Sequence, residues 1–128
     1  MAKFVHADTL DNGLNNIKNN CNSMMAVLVY AINDSYATVT AAANIIAQVA
    51  MASADFTLGS SGNNRTLTTA SGKQDAVANN TGDPTHIVFV DTVNSKVLWV
   101  TDESSVQSVT AGNPVNFPSL VFTSVQPT

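Results

Sequence analysis

Ile87-Val88-Phe89-Val90-Asp91-Thr92-Val93-Asn94-Ser95-Lys96-Val97-Leu98-Trp99-Val100 holds two apolar runs joined by a short polar turn. Two β-branched and aromatic runs separated by a turn cluster predict a β-hairpin. Side chains alternate between faces along a strand, yet both runs are apolar at both parities. Both faces of the hairpin are therefore expected to be covered, one by an opposing sheet and the other by a neighbour or a helix.

Short β-type runs continue on either side of this hairpin. From Ala54 onward they fall at Phe56–Leu58, Arg65–Thr69, Lys73–Ala78, His86–Asp91, Lys96–Thr101, Val106–Thr110 and Val115–Val125. Between them lie Gly59-Ser60-Ser61-Gly62-Asn63-Asn64, Ser71-Gly72, Asn79-Asn80-Thr81-Gly82-Asp83-Pro84 and Ala111-Gly112-Asn113-Pro114. Gly and Asn supply the φ freedom that turns need, and Pro fixes φ. Regular short strands with such punctuation point to a sandwich or barrel. The chain is expected to be mainly β: a single-domain antiparallel β-sandwich or jelly-roll-like barrel with a short N-terminal helix. In that division residues 1–22 are a helical segment or arm, and residues 23–128 are the β-rich body with an extended C-terminal segment.

The helix is read from Leu10, Leu14, Ile17 and Cys21, whose spacings of four, three and four make one apolar stripe. Asp8 or Thr9 is its expected N-cap. Asn12, Asn15, Asn16, Asn19, Asn20 and Gly13 give it poor intrinsic propensity, so packing must hold it, against its own body or against another subunit. Met25–Ile32 reads as a buried central strand ended by Asn33-Asp34-Ser35. Tyr36–Thr40 alternates like a strand, whereas Ala41–Ala47 fits a helical turn or a small-residue strand equally well. Pro114, Phe117, Pro118, Val121, Phe122 and Pro127 shape an edge strand or a surface-hugging arm, because proline cannot donate to a central ladder.

Composition narrows the function classes. The 128 residues include 15 Asn, 14 Thr and 12 Ser, about a third of the chain, with 45% hydrophobic and only 11% charged residues. Apolar content is high enough to drive collapse and argues against disorder. Net charge is −4 with no basic cluster, so no footprint for a nucleic-acid backbone is present. A single cysteine, Cys21, rules out an intramolecular disulfide and suits folding in a reducing cytosol. The longest clean apolar run, Met24–Ile32, has nine residues against the ~20 of a membrane-spanning helix, and no secretory signal is read at the start.

Catalytic and metal patterns find little support. A zinc site needs three or four Cys, His or carboxylate ligands, and the chain has one Cys and the distant pair His6 and His86. His86 reads as a hydrogen-bonded strand-edge histidine, Cys21 as a structural thiol, and Ser60 and Ser61 as loop residues outside any nucleophile elbow. Asp102-Glu103 is the only adjacent carboxylate pair, and neighbours on a strand face opposite ways. No calcium loop or phosphate loop occurs. The expectation is no enzyme and no cofactor, with no nucleic-acid or membrane partner.

One resemblance remains, carried by Ala54-Asp55-Phe56-Thr57-Leu58-Gly59, Thr85-His86-Ile87-Val88-Phe89-Val90-Asp91, Lys96-Val97-Leu98-Trp99-Val100-Thr101 and Val109-Thr110-Ala111-Gly112-Asn113-Pro114-Val115-Asn116-Phe117-Pro118. Over residues 54 to 118 the chain resembles small β-rich structural proteins of tailed bacteriophages, of the head decoration or cement type. The resemblance implies a non-enzymatic virion component, made in the host cytoplasm. It would bind the outer surface of the head and stabilise contacts between neighbouring major capsid subunits. The implied partners are the major capsid protein and neighbouring copies of the chain as a homo-oligomer. Residues 1–22 and 114–128 are the expected contact segments, through Leu10, Leu14, Ile17, Pro114, Phe117, Pro118 and Phe122. The alternative is a tail or fibre module presenting Gly59–Asn64 and Asn79–Pro84 to a host-surface glycan.

Overall fold

A computed structural model of the chain describes residues 3–102 and 108–127. Among the described residues two α-helices, α1 (Ala7–Asn20) and the single turn α2 (Tyr36–Val39), accompany nine strands. These are β1 (Ser23–Val27), β2 (Ile45–Ala50), β3 (Phe56–Ser61), β4 (Asn64–Thr69), β5 (Lys73–Asp75), β6 (His86–Asp91), β7 (Lys96–Asp102), β8 (Val115–Phe117) and β9 (Val121–Ser124). They form antiparallel sheets of order β2-β1-β6-β7, β3-β4-β9 and β5-β8, and the fold is a mainly β sandwich.

The hairpin at 87–100 sets the layers. Ile87 and Phe89 face the main core with Met24 and Ala26 of β1, Phe56 and Leu67 of the facing sheet, and Leu14 and Ile17 of α1. Val88 and Val90 face the other way and form a second cluster with Met25, Val27, Val39 and Ile45, roofed by Tyr30 and Tyr36. Apolar residues at both parities thus have one cause: the central sheet is covered on both faces. Phe89 stacks on Trp99 with centroids 4.3 Å apart, and Phe122 meets Trp99 edge-on at 5.3 Å. Asp91 closes the turn. Its carboxylate accepts from the Val93 and Asn94 amides at 3.0 and 3.2 Å and from the Asn94 side chain at 2.8 Å.

Several expectations are corrected. The cap of α1 is His6, whose Nδ1 accepts from the Asp8 amide at 3.1 Å. Tyr36–Thr40 is not a strand, because Ser35 Oγ accepts from the Thr38 amide at 3.2 Å and starts a helical turn. Residues 42–44 make a 3₁₀ turn, and strand β2 follows at once. The central strand β1 ends at Val27, earlier than the apolar run that contains it. Val106 and Gln107 lie outside the described residues, and Val109 forms a lone bridge with Gly82.

Side-chain amides complete much of the irregular backbone. Asn44 accepts from Val29 N–H at 3.0 Å and donates to the Val29 and Val39 carbonyls at 3.1 and 2.9 Å. Asn80 donates to the Ala42 and Ile45 carbonyls at 2.8 and 2.7 Å. Gln126 bonds both the amide and the carbonyl of Val5, at 2.9 and 2.7 Å, so it ties the two ends of the chain together.

Candidate partner-binding surface

Four of the seven residues expected at a partner interface are core residues. Leu14 is 1% exposed, and Leu10, Ile17 and Phe117 are also buried. Of the two expected supports for the α1 stripe, the chain's own body or another subunit, the chain's own body is the one present, and Lys18 also grips it through the Ser53 and Phe56 carbonyls at 2.7 and 2.8 Å. Pro114 and Pro118 are exposed. Phe122 is half-buried and lines a groove of about 820 Å³.

That groove is assembled from distant pieces of chain. One wall is the segment after β1, with Tyr30, Ile32, Asp34 and Tyr36. Asp34 holds it in shape: its carboxylate accepts from the Ala31 amide at 2.8 Å, its own amide donates to the Ala31 carbonyl at 2.9 Å, and Asn33 takes φ 70°. Asn44 fixes Val29 beside it. The floor is β7. Val97 and Val100 pack on the second cluster, whereas Leu98 and Trp99 belong with the main core. Both faces of β7 line one groove, so the groove follows the free edge of that strand.

Polar groups at its mouth form one chain. His86 Nε2 lies 2.9 Å from Asp102 Oδ1, His86 Nδ1 lies 2.8 Å from Thr85 Oγ1, and the Tyr30 ring packs 5.5 Å from the imidazole. The carboxylate partner of His86 is Asp102, the last residue of β7, and not its sequence neighbour Asp83. Glu103 lies outside the described residues. The groove lining carries Asp34 and Asp102 but neither Lys nor Arg. Ile32, at the rim, is 85% exposed.

A second, smaller hollow of about 530 Å³ lies where the chain ends meet, lined by Phe4, the β3–β4 turn at Ser61–Asn64 and Val125–Pro127. Phe4 is 75% exposed there.

Elsewhere the polar side chains serve structure. Among the described residues no group of three or more His, Cys, Asp or Glu stands close enough together to hold a metal ion. Burial pushes the Cys21 thiol up to about 11, away from thiolate reactivity. Ser60 Oγ is engaged by Arg65, whose Nε also pairs with Asp11 at 2.8 Å and so pins α1 to β4. The hydrogen bond to Asp11 raises the Arg65 pKa above its ordinary value. No helix among the described residues is long and apolar enough to cross a membrane.

Comparison with protein-family models, curated proteins and solved structures gave no match.

Proposed function

We propose that the chain is a non-enzymatic capsid decoration (cement) protein of a tailed bacteriophage. In this reading it sits on the outer surface of the head, works there as a homo-oligomer, and stabilises contacts between neighbouring major capsid subunits. The observation that carries the proposal is the layout of exposed apolar surface. Ile32 borders the β7 groove and Phe4 and Val125 border the chain-end hollow, with Val29, Val77, Val93 and Val121 exposed elsewhere, while among the described residues no buried polar side-chain atom lacks a partner. Two separate contact surfaces on one compact body suit bridging of neighbouring subunits. Each contact can be weak, because simultaneous engagement raises the effective concentration at the second site. The resemblance of residues 54–118 to small phage head proteins supports the same reading.

The test is to mix the purified chain with empty, expanded heads of its source phage and measure copies bound per head and the heads' melting temperature. Saturation at a fixed multiple of the capsid subunits with a raised melting temperature is the expected result; absence of binding removes the proposal. A second reading, a tail or fibre module for host glycans, draws on Tyr30, Tyr36, Asn33 and Asp34, since aromatic faces beside amides and carboxylates suit sugar rings. Glycan-array binding without head binding would select it.

A further inference from the structure

We propose that β7 is a strand acceptor: an extended segment of a partner protein, apolar at alternate positions and carrying Lys or Arg, adds to its free edge as a further strand. The proposal names how the groove would be occupied, and rests on the decoration reading only for the source of that segment.

The two outer edges of the four-stranded sheet are treated differently. The β2 edge is closed. The Gln48 amide donates to Asp75 Oδ2 at 2.9 Å, the Ile45 carbonyl accepts from the Asn80 side chain at 2.7 Å, and the Ile46 carbonyl accepts from the Asn79 amide at 2.7 Å. The β7 edge has no such cover among the described residues: beyond its ladder with β6, no backbone hydrogen bond engages Lys96–Thr101. Exposed edges are normally blunted by charge, proline or bulges, because their unpaired N–H and C=O groups template further pairing. Between Lys96 and Asp102, Val97–Thr101 carries neither charge nor proline, and its one irregularity is the bulge at Leu98. An open edge beside a preformed groove is the geometry of strand addition, in which main-chain bonds hold the guest and pockets read alternate side chains.

The lining specifies the guest. Val97 and Val100 on the floor with Tyr30 and Tyr36 on the wall accept apolar side chains, and Asp34 with Asp102 attracts a cation that no Lys or Arg of the groove already neutralises. Asp102 is 88% exposed and open to a second partner besides His86. A second copy of the chain fits poorly. It brings its own Asp34 and Asp102 to the same groove, with Lys96 as the one cation of its β7. The register shift from Phe89↔Trp99 to Val90↔Val97 makes Leu98 a bulge, so a guest ladder runs on either side of that residue.

The test uses a synthetic peptide of about ten residues alternating Val and Thr with Lys at each end, and its twin with Glu at each end. Each is titrated into the ¹⁵N-labelled full chain. Saturable shifts at the amides of residues 97–102, with the Lys-ended peptide binding about tenfold tighter, are expected. Asp102→Lys should invert that preference. Because Asp102 is exposed, this variant keeps the fold, which its melting temperature checks; Val100→Lys should weaken both peptides. No shift at 97–102 with either peptide, or a preference that Asp102→Lys leaves unchanged, overturns the proposal. So does protection of the same amides by self-association alone, or by an oligosaccharide in place of peptide. If the parent chain and Asp102→Lys bind phage heads equally, strand acceptance falls and the decoration reading stands; if the peptide binds and heads do not, the reverse holds.

Discussion

Cys21 and Asp91 sit at opposite ends of the same pH scale. The thiol ionises at about 11 in the folded chain against an ordinary value of 9.0, because burial disfavours the thiolate. A raised value means that the folded state holds its proton longer than the unfolded state. The associated stability is complete below pH 9.0 and is lost as pH rises toward about 11. Two pH units correspond to about 2–3 kcal/mol. Cys21→Ala should therefore flatten the alkaline limb of stability against pH, measured by denaturant unfolding at pH 8 and pH 11. Asp91 works in the other direction. Hydrogen bonds from the Asn94 side chain hold its carboxyl below the usual 3.8, so it stabilises the fold above that value and this contribution vanishes as pH falls through the depressed one. Asp91→Asn should remove that acid-limb dependence, seen as a shallower fall in melting temperature below pH 4. A third residue was legible for its spacing but not for its role. Leu14 lay on a stripe that the sequence left open to either the chain's own body or a partner, and only the packing of α1 on the sandwich decides. With Leu14 fully enclosed, Leu14→Ala should cost about 2–5 kcal/mol in chemical denaturation.

At the scale of elements, legibility followed the strength of the local signal. The β6–β7 hairpin could be read because each run is apolar throughout and Asp91-Thr92-Val93-Asn94 offers an Asx turn. The stretch 36–50 could not. Thr38, Val39 and Thr40 favour extended backbone, yet a cap from Ser35 outweighs them; Ala41–Ala47 has no preference of its own, and β2 forms there because Ile45 pairs with Val27 and Ala47 with Ala26 across the sheet. Part of the high Asn content is internal carpentry, with Asn22, Asn44 and Asn80 standing in for missing strand partners. Asn44 shows this best, since it serves three backbone groups on two segments. Removing it leaves those groups unpaired beside the second core. Asn44→Ala should cost about 1–3 kcal/mol and speed amide exchange at Val29, while leaving exchange in β3 and β4 unchanged.

At the scale of the whole molecule, the groove was hidden from sequence because its wall, floor and rim come from residues 30–36, 86, 97–102 and 122, with no motif linking them. Only Phe122 among the expected contact residues lies in it. The chain ends were read as arms available to partners, and most of each is instead part of the fold. Residues 7–20 plug the main core, Phe117 is buried, Ser119 Oγ donates to the Thr69 carbonyl at 2.6 Å, and β9 pairs with β4. Truncation of these segments therefore reports on folding before it reports on docking. Two end points separate the effects. A chain stopped at Ser124 keeps β8 and β9 and loses residues 125–128, among them Gln126, which bonds Val5 and the Asn63 carbonyl. It should melt cooperatively within a few degrees of the full chain, with faster exchange at the Val5 amide. A chain stopped at Asn113 loses β8, β9 and the Phe117 and Phe122 contacts, which exposes the Trp99 side of the core. It should show no cooperative melt by circular dichroism. If the shorter chain melts like the full one, the C-terminal strands are dispensable and the segment returns to being an arm free for a partner.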